Sequence, residues 1–297
     1  MLGRLFVALQ YLLPKHALTA LVYRLARLRH VPTKNAMIRG FIRLFDVDTT
    51  EAQASVPDDY PTFNDFFIRE LRDGARPIDR APGRIVSPVD GTVSVATSLS
   101  GDAIVQAKGI DYSLSDLFAI DLAEAHAFDG GEVATIYLAP YNYRRVHMPF
   151  DGVLKAMHYV PGDLFSVNEA TAAMVPGLFR RNERLNLTFD TAHGPAALIF
   201  VGALNVGSIS TPWTGEIRPR KRGVVEAHGR EHLPVALERG DLLGWFNMGS
   251  TVILLLPRGA GRWQDHMQKG AILTMGSAIG DFGDAATTSG DEVAADD

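Results

Sequence analysis

The sequence predicts an α+β protein with a β-rich, mainly antiparallel sheet core and an amphipathic helical head. Three observations carry that expectation. From Gly83 onward the chain breaks into short apolar runs rich in Val and Ile, punctuated by Gly, Pro and Asp. Residues 1–45 instead repeat apolar side chains at helical spacing. Charge divides at the same place: eight Lys/Arg from Arg4 to Arg43 meet no acid, leaving 21 of the 29 Lys/Arg against all 34 Asp/Glu afterwards. The formal net charge of −5 therefore hides a basic head on an acidic body. At 297 residues and 46% apolar, the chain can bury one large core or two modest ones. It contains no cysteine, which excludes disulfides, thiolate catalysis and cysteine metal sites.

In the head, Leu5–Leu9 and Tyr11–Leu13 form a first helical pattern, stopped by Pro14. Leu18, Leu21, Val22, Leu25 and Leu28 form a second, with Arg24, Arg27 and Arg29 between them. The apolar runs fall short of the roughly 20 residues that span a bilayer. A basic helix with leucines on its other face lies in the membrane interface instead. Residues 1–45 are thus expected to form a membrane-association region on an anionic surface, peripheral to the cell membrane on its cytoplasmic side. Two alternatives compete. One is a signal peptide, which Pro14-Lys15-His16 after the apolar stretch fits poorly. The other is a helix packed on the body with its arginines solvated. The interleaved leucines favour lipid over nucleic acid as the partner.

Asp46 to Pro61 is polar and turn-rich and reads as a linker. Thr62 caps a short helix that puts Phe63, Phe66 and Phe67 on one face, a core pattern. Strands are expected at Arg84–Ser87, Thr92–Ala96, Ala103–Ala107, Glu132–Leu138, Gly152–Val160, Leu185–Asp190, Ala196–Val201, Ala203–Thr211, Leu242–Asn247 and Thr251–Leu256. Helices are expected at Ser113–Glu124 and Asn168–Val175. Residues 46–276 would form the catalytic domain. Residues 277–297, acidic and rich in Ala, Gly, Ser and Thr, would be a disordered tail.

Three polar positions could carry chemistry. Ser250 follows Gly249 and opens the apolar run Val252–Leu256, closed by Pro257. Glycine there permits unusual backbone angles. Asp90 sits in the turn Val89-Asp90-Gly91, and His147 in a loop between two expected strands. Singly, they read as a turn into a core strand, a hairpin turn and a structural histidine. Together they supply the residue types of a nucleophile, an orienting carboxylate and a base. Spacing along the chain does not say whether they meet.

Several segments resemble the signature of the phosphatidylserine decarboxylases. These are Val89-Asp90-Gly91, Tyr143-x-Arg145-Val146-His147-Met148-Pro149, Val160-Pro161-Gly162-Asp163-Leu164-Phe165-Ser166-Val167-Asn168 and Gly249-Ser250-Thr251. Thr62–Phe67, Arg180-x-Asn182-Glu183-Arg184 and Val201-Gly202-Ala203 agree with them, and the likeness runs to about Gly276. The resemblance implies a pyruvoyl-dependent enzyme of the bacterial type that cuts its own chain between Gly249 and Ser250. Ser250 would become the pyruvoyl cofactor, which forms a Schiff base with phosphatidylserine and releases carbon dioxide to give phosphatidylethanolamine. His147 would be the base and Asp90 its orienting carboxylate, with no metal involved. The two products, a β chain and an α chain, would stay together as a heterodimer or a dimer of such heterodimers. Ser166 is a weaker candidate for binding the head group; its other role would be to cap the helix near Asn168.

One position departs from the family, which often has a second histidine where this chain has Arg144. A permanent cation cannot donate a proton near neutral pH, so Arg144 is expected to hold the lipid phosphate or the substrate carboxylate instead. Other readings stay open: a Ser-His-Asp hydrolase that is never cut, an inactive lipid-binding protein, and a pyruvoyl decarboxylase of soluble amino acids.

Overall fold

The computed structural model describes residues 2–107, 110–119, 122–205, 208–248 and 250–283; Gly249 and the side chain of Ser250 lie outside it. The head consists of helices α1 (Leu2–Leu12), α2 (Lys15–Ala26) and α3 (Val31–Phe45). Pro14 separates the first two, and Pro32 sits in the first turn of α3, where a missing N–H costs nothing. Val7, Ala26 and Ile38 are buried, but much of the remaining pattern is reversed relative to an ordinary packed helix. Leu12 and Leu44 are 82% and 75% exposed, and Phe6, Leu9, Leu21 and Leu25 are exposed beside them. Gln10, Lys15, Thr19 and Lys34 are buried instead.

Those buried polar groups dock the head on the body. Gln10 Nε2 donates to Thr171 Oγ1 at 3.1 Å while its Oε1 accepts from Ser166 N at 2.8 Å. Lys15 pairs with Asp163 at 3.1 Å, and Lys34 Nζ donates to the Pro57 carbonyl at 2.8 Å. Among the described residues no helix is long and apolar enough to cross a membrane.

The stretch expected to be a linker is folded. Val47, Ala52 and Tyr60 are buried, and Val47 and Tyr60 join Ala26, Ile38 and the three phenylalanines of α4 (Phe63–Phe67) in a second core. Isolated apolar anchors among turn residues leave no periodic trace, which is why the sequence pattern misses them. Thr62 caps α4 as expected, its Oγ1 accepting from Asp65 N at 3.2 Å.

Among the described residues every pairing between strands of the body is antiparallel, the isolated bridge Asp163–Asn182 alone being parallel. The main sheet has nine strands, and its path runs Glu226–His228, Gly152–Val160, Arg184–Thr191, Gly194–Val201, Ser250–Leu256, Glu132–Leu138, Gly91–Ser98, Ile272–Leu273, with Val235–Leu237 also on Gly152–Val160. Strand Ser250–Leu256 lies inside it, and Val252 through Leu256 are fully buried. A four-stranded sheet orders Gly215–Ile217, Ile209–Thr211, Leu242–Phe246 and Arg145–His147. A three-stranded sheet orders Arg84–Val86, Ala278–Phe282 and Gly261–Trp263.

Three further expectations change. The boundary at Gly276 is too early, because Ala278–Phe282 is the middle strand of that last sheet with Ile279 fully buried. Residues 284–297 of the expected tail lie outside the described residues. Ala203–Thr211 yields only the short strand Ile209–Thr211, and Ser113–Glu124 divides into helices Leu114–Phe118 and Leu122–His126, the first ended by Ala119 in the left-handed region.

Candidate active site

The junction before Ser250 is where the chain passes from one sheet to the other. Leu242–Phe246 belongs to the four-stranded sheet, Asn247 and Met248 follow, and Ser250 opens a strand of the nine-stranded sheet. There the backbone of Ser250 faces Leu138, while Thr251 faces Tyr137 on one side and Val201 on the other. Tyr137 in turn faces Thr92. The turn carrying Asp90 therefore lies at the same end of the sheet as Ser250, roughly 10 Å away across two strand spacings. Gly91 keeps that turn close: a Cβ there would meet Ile136 Cγ2 at 2.6 Å and the Tyr137 carbonyl oxygen at 2.7 Å.

His147 is anchored beside the same turn, its backbone N–H donating to the Pro88 carbonyl at 2.8 Å. Its Nδ1 lies 2.8 Å from the Gly240 carbonyl oxygen, which can only accept, so Nδ1 carries the proton. Nε2 is then the acceptor, 3.1 Å from the Tyr143 hydroxyl, and the two rings stack at 5.7 Å. Gly240 presents its carbonyl from φ +98, a conformation suited to glycine. Burial pushes the imidazole below its ordinary 6.5, with the Gly240 carbonyl opposing. His147 is thus neutral at pH 7, with a lone pair on Nε2.

Asp90 does not hold that imidazole through a hydrogen bond. Its carboxylate takes a forked pair from Arg76, with Nε to Oδ1 at 2.9 Å and Nη2 to Oδ2 at 2.7 Å, plus Met275 N at 2.8 Å. Its influence on His147 is through space and favours the charged imidazolium. The physical reason is competition: a planar guanidinium matches a carboxylate better than a single ring N–H does. Arg76, Tyr143 and Gly240 are the contributors that sequence reasoning missed. Tyr143 sits four residues before His147 inside the quoted motif, whereas nothing in the sequence marks Arg76 or Gly240.

A cavity of about 370 Å³ borders the junction through Met248 and through Leu138, the residue opposite Ser250. Phe41 and Phe45 of α3 form one wall, and both Arg144 and Ser166 line it. Arg144 is only 1% exposed. Its Nη1 and Nη2 donate to the carbonyls of Leu138 and Ala139 at 3.1 and 2.5 Å, and its guanidinium lies 4.6 Å from the Phe67 ring centroid. Nε has no partner. Burial lowers its pKa to about 9, still high enough to keep the charge at neutral pH. Ser166 does not cap the neighbouring helix; Asn168 does, accepting from Thr171 N at 2.9 Å.

Comparison with known proteins bears on the same segments. A family model described as phosphatidylserine decarboxylase matches residues 63–281, and a second, described as PSD, matches residues 5–46. A phosphatidylserine decarboxylase proenzyme of Alcanivorax borkumensis is 46% identical over 280 residues, covering 94% of this chain and 96% of the relative. Those of Marinobacter nauticus and Azotobacter vinelandii are each 46% identical, covering 94% of this chain and 98% and 99% of theirs. The two matched spans together hold the Asp90 turn, the His147 strand, the residues lining the cavity and the Gly249-Ser250 junction, and the chain belongs to the phosphatidylserine decarboxylase family.

Proposed function

We propose that this chain is a proenzyme that cuts itself before Ser250 and then decarboxylates phosphatidylserine to phosphatidylethanolamine. One observation carries the reading above all: the junction ahead of strand Ser250–Leu256 borders a cavity that also holds a buried, partly unpartnered arginine. In the first stage the Ser250 hydroxyl attacks the Gly249 carbonyl carbon. His147 takes the hydroxyl proton and returns it to the departing amide nitrogen, leaving an ester. Asp90 supports the charged imidazole through space. The ester then eliminates: a base takes the Cα proton of residue 250 as the Gly249 carboxylate leaves Cβ. The resulting enamine takes up a proton at Cβ to become an imine, and water hydrolyses that imine to the ketone with release of ammonia.

The residues present suit a pyruvoyl group. Glycine precedes the serine, a neutral base is anchored beside the Asp90 turn, and the cavity leaves room beside Leu138 for an amine. When formed, that group supplies a ketone that engages the substrate amine and accepts the electrons freed with carbon dioxide. The chain's own side chains do the rest. Arg144 holds an anionic group of the substrate on its free Nε–H, and Ser166 contacts the head group from the same wall. No metal is required.

The exposed leucines of α1 and α2, with the unbalanced basic charge, seat the head on the cytoplasmic face of the membrane. Phe41 and Phe45 would lead an acyl chain from there to the cavity. Strand Ser250–Leu256 is bonded on both edges, so the α chain stays with the β chain after the cut.

Intact mass tests the reading. Active protein should consist of residues 1–249 and 250–297, with the α-chain terminus lacking its amine. Ser250→Ala should remain one inactive chain, and His147→Ala and Asp90→Ala mostly uncut. Active wild-type protein that stays a single chain would sink the proposal.

A further inference from the structure

A chain of buried polar side chains joins the amphipathic head to the residues just before the junction. Asn247, two residues before Gly249, is 3% exposed. Its Oδ1 accepts from Asn64 Nδ2 of α4 at 3.1 Å. Its Nδ2 donates to Ser208 Oγ at 2.7 Å and Ser210 Oγ at 3.0 Å, and its backbone N–H donates to the Ser208 carbonyl at 3.0 Å. Ser208 Oγ donates to Glu216 Oε1. The Glu216 carboxylate also accepts from Arg27 Nη2 at 2.6 Å and from the Tyr23 hydroxyl at 2.8 Å. Arg218 donates to that hydroxyl at 2.6 Å, and Arg27 stacks 3.6 Å over the Tyr23 ring.

The direction of the donors is uniform. Asn64 gives to Asn247, Asn247 to Ser208 and Ser208 to Glu216, so each bond polarises the next toward the one carboxylate. Strand ends do not call for a buried asparagine, which has low strand propensity. Here every hydrogen-bonding atom of the amide is engaged, which fixes the side chain and the backbone beside it. At the far end, Tyr23 and Arg27 sit on and just beyond α2, whose Leu21 and Leu25 are exposed to solvent. Any tilt of that helix moves the groups that hold Glu216.

We propose that Asn247, Ser208 and Glu216 are positioning residues that tie helix α2 to the scission junction, so that the seating of the helix sets the rate of self-cleavage. This rests on the self-cleavage reading above. The effect acts through the backbone that leads from Asn247 to Met248 toward the junction, because an error of about 1 Å in the approach of a nucleophile costs on the order of a hundredfold in rate.

The test follows the splitting of freshly translated, labelled full-length chain on gels. Asn247→Ala should slow it on the order of a hundredfold, and Ser208→Ala and Glu216→Gln about tenfold each. Arg27→Ala should slow it several-fold, while Lys155→Ala, in a distant surface pair with Asp190, should split like wild type. Because the three act as one chain, Ser208→Ala with Glu216→Gln should be no slower than the slower single variant. Melting of each variant, measured on the uncut Ser250→Ala background, should not track the slowing.

Relay variants that split at the wild-type rate, a double variant that multiplies the two single effects, or slowing that follows melting temperature would each overturn the relay alone. An unaffected Arg27→Ala overturns the link to the helix. A wild-type chain that never splits overturns the self-cleavage reading itself, and the relay falls with it.

Discussion

Leucine means opposite things at the two ends of this molecule. In strand Ser250–Leu256, Leu254, Leu255 and Leu256 are fully buried, and the backbone is bonded to a neighbour on each side. In the head, Leu9, Leu12, Leu21 and Leu25 face solvent while Gln10, Lys15 and Thr19 are buried against the body. The strand holds the body together with apolar side chains, whereas the head adds polar anchors to its few buried apolar ones, Val7, Ala26 and Ile38. Apolar content alone therefore does not say what a segment packs against. The partners of its polar residues do.

The contrast can be broken at either end. Leu254→Ala should cost about 2–5 kcal/mol in chemical denaturation, because it empties space between tightly packed strands. Leu25→Ala should change stability by no more than about 0.5 kcal/mol, as exposed substitutions do. Equal costs would mean that the head packs as an ordinary core helix. Next in size, Leu21→Ser with Leu25→Ser should lower binding to anionic vesicles by about tenfold or more, since burying one leucine is worth about 1.5–3 kcal/mol. Added salt should weaken wild-type binding by screening the basic side chains. Binding that survives both changes would leave the exposed leucines without a lipid role.

The smallest effect concerns a polar group inside the body. Glu183 is buried and accepts from the Tyr159 hydroxyl at 2.6 Å; burial pushes its carboxyl up from 4.5 to about 7. Between those values the folded chain keeps a proton that the unfolded chain has lost, so stability falls as pH rises across that window. Glu183→Gln removes this titration, and its melting temperature relative to the parent should climb from about pH 5 to about pH 8. A difference that does not vary with pH would show that Glu183 is held ionised.

Much of the architecture was legible because it is written in local periods. The break at Pro14, the Thr62 cap and the buried run Val252–Leu256 follow from rules acting over a few residues. The second core and strand Ala278–Phe282 were not legible, since each depends on single apolar residues meeting distant partners. At the candidate site, the motifs marked Asp90 and His147 but not their immediate partners. Arg76 lies 14 positions from Asp90 and Gly240 lies 93 from His147, separations that only the folded chain resolves. The reversed polarity of the head was half legible: its leucines and arginines were visible, but not the burial of Gln10 and Lys34.

The position of the junction between two sheets has a consequence for how the molecule is made. An uncut chain assembles as a first-order process, because strand Ser250–Leu256 is tethered to Leu242–Phe246 by a few residues. A cut at Ser250 removes that tether after the strand is already bonded on both edges, so little of the folded structure's stability is lost. Once the two pieces come apart, however, their return is a second-order encounter that depends on concentration. The short piece would arrive carrying a bare, strongly apolar strand prone to pair elsewhere. Cleavage would thus make folding a one-time event, with the mature form persisting by slow unfolding rather than by ready refolding.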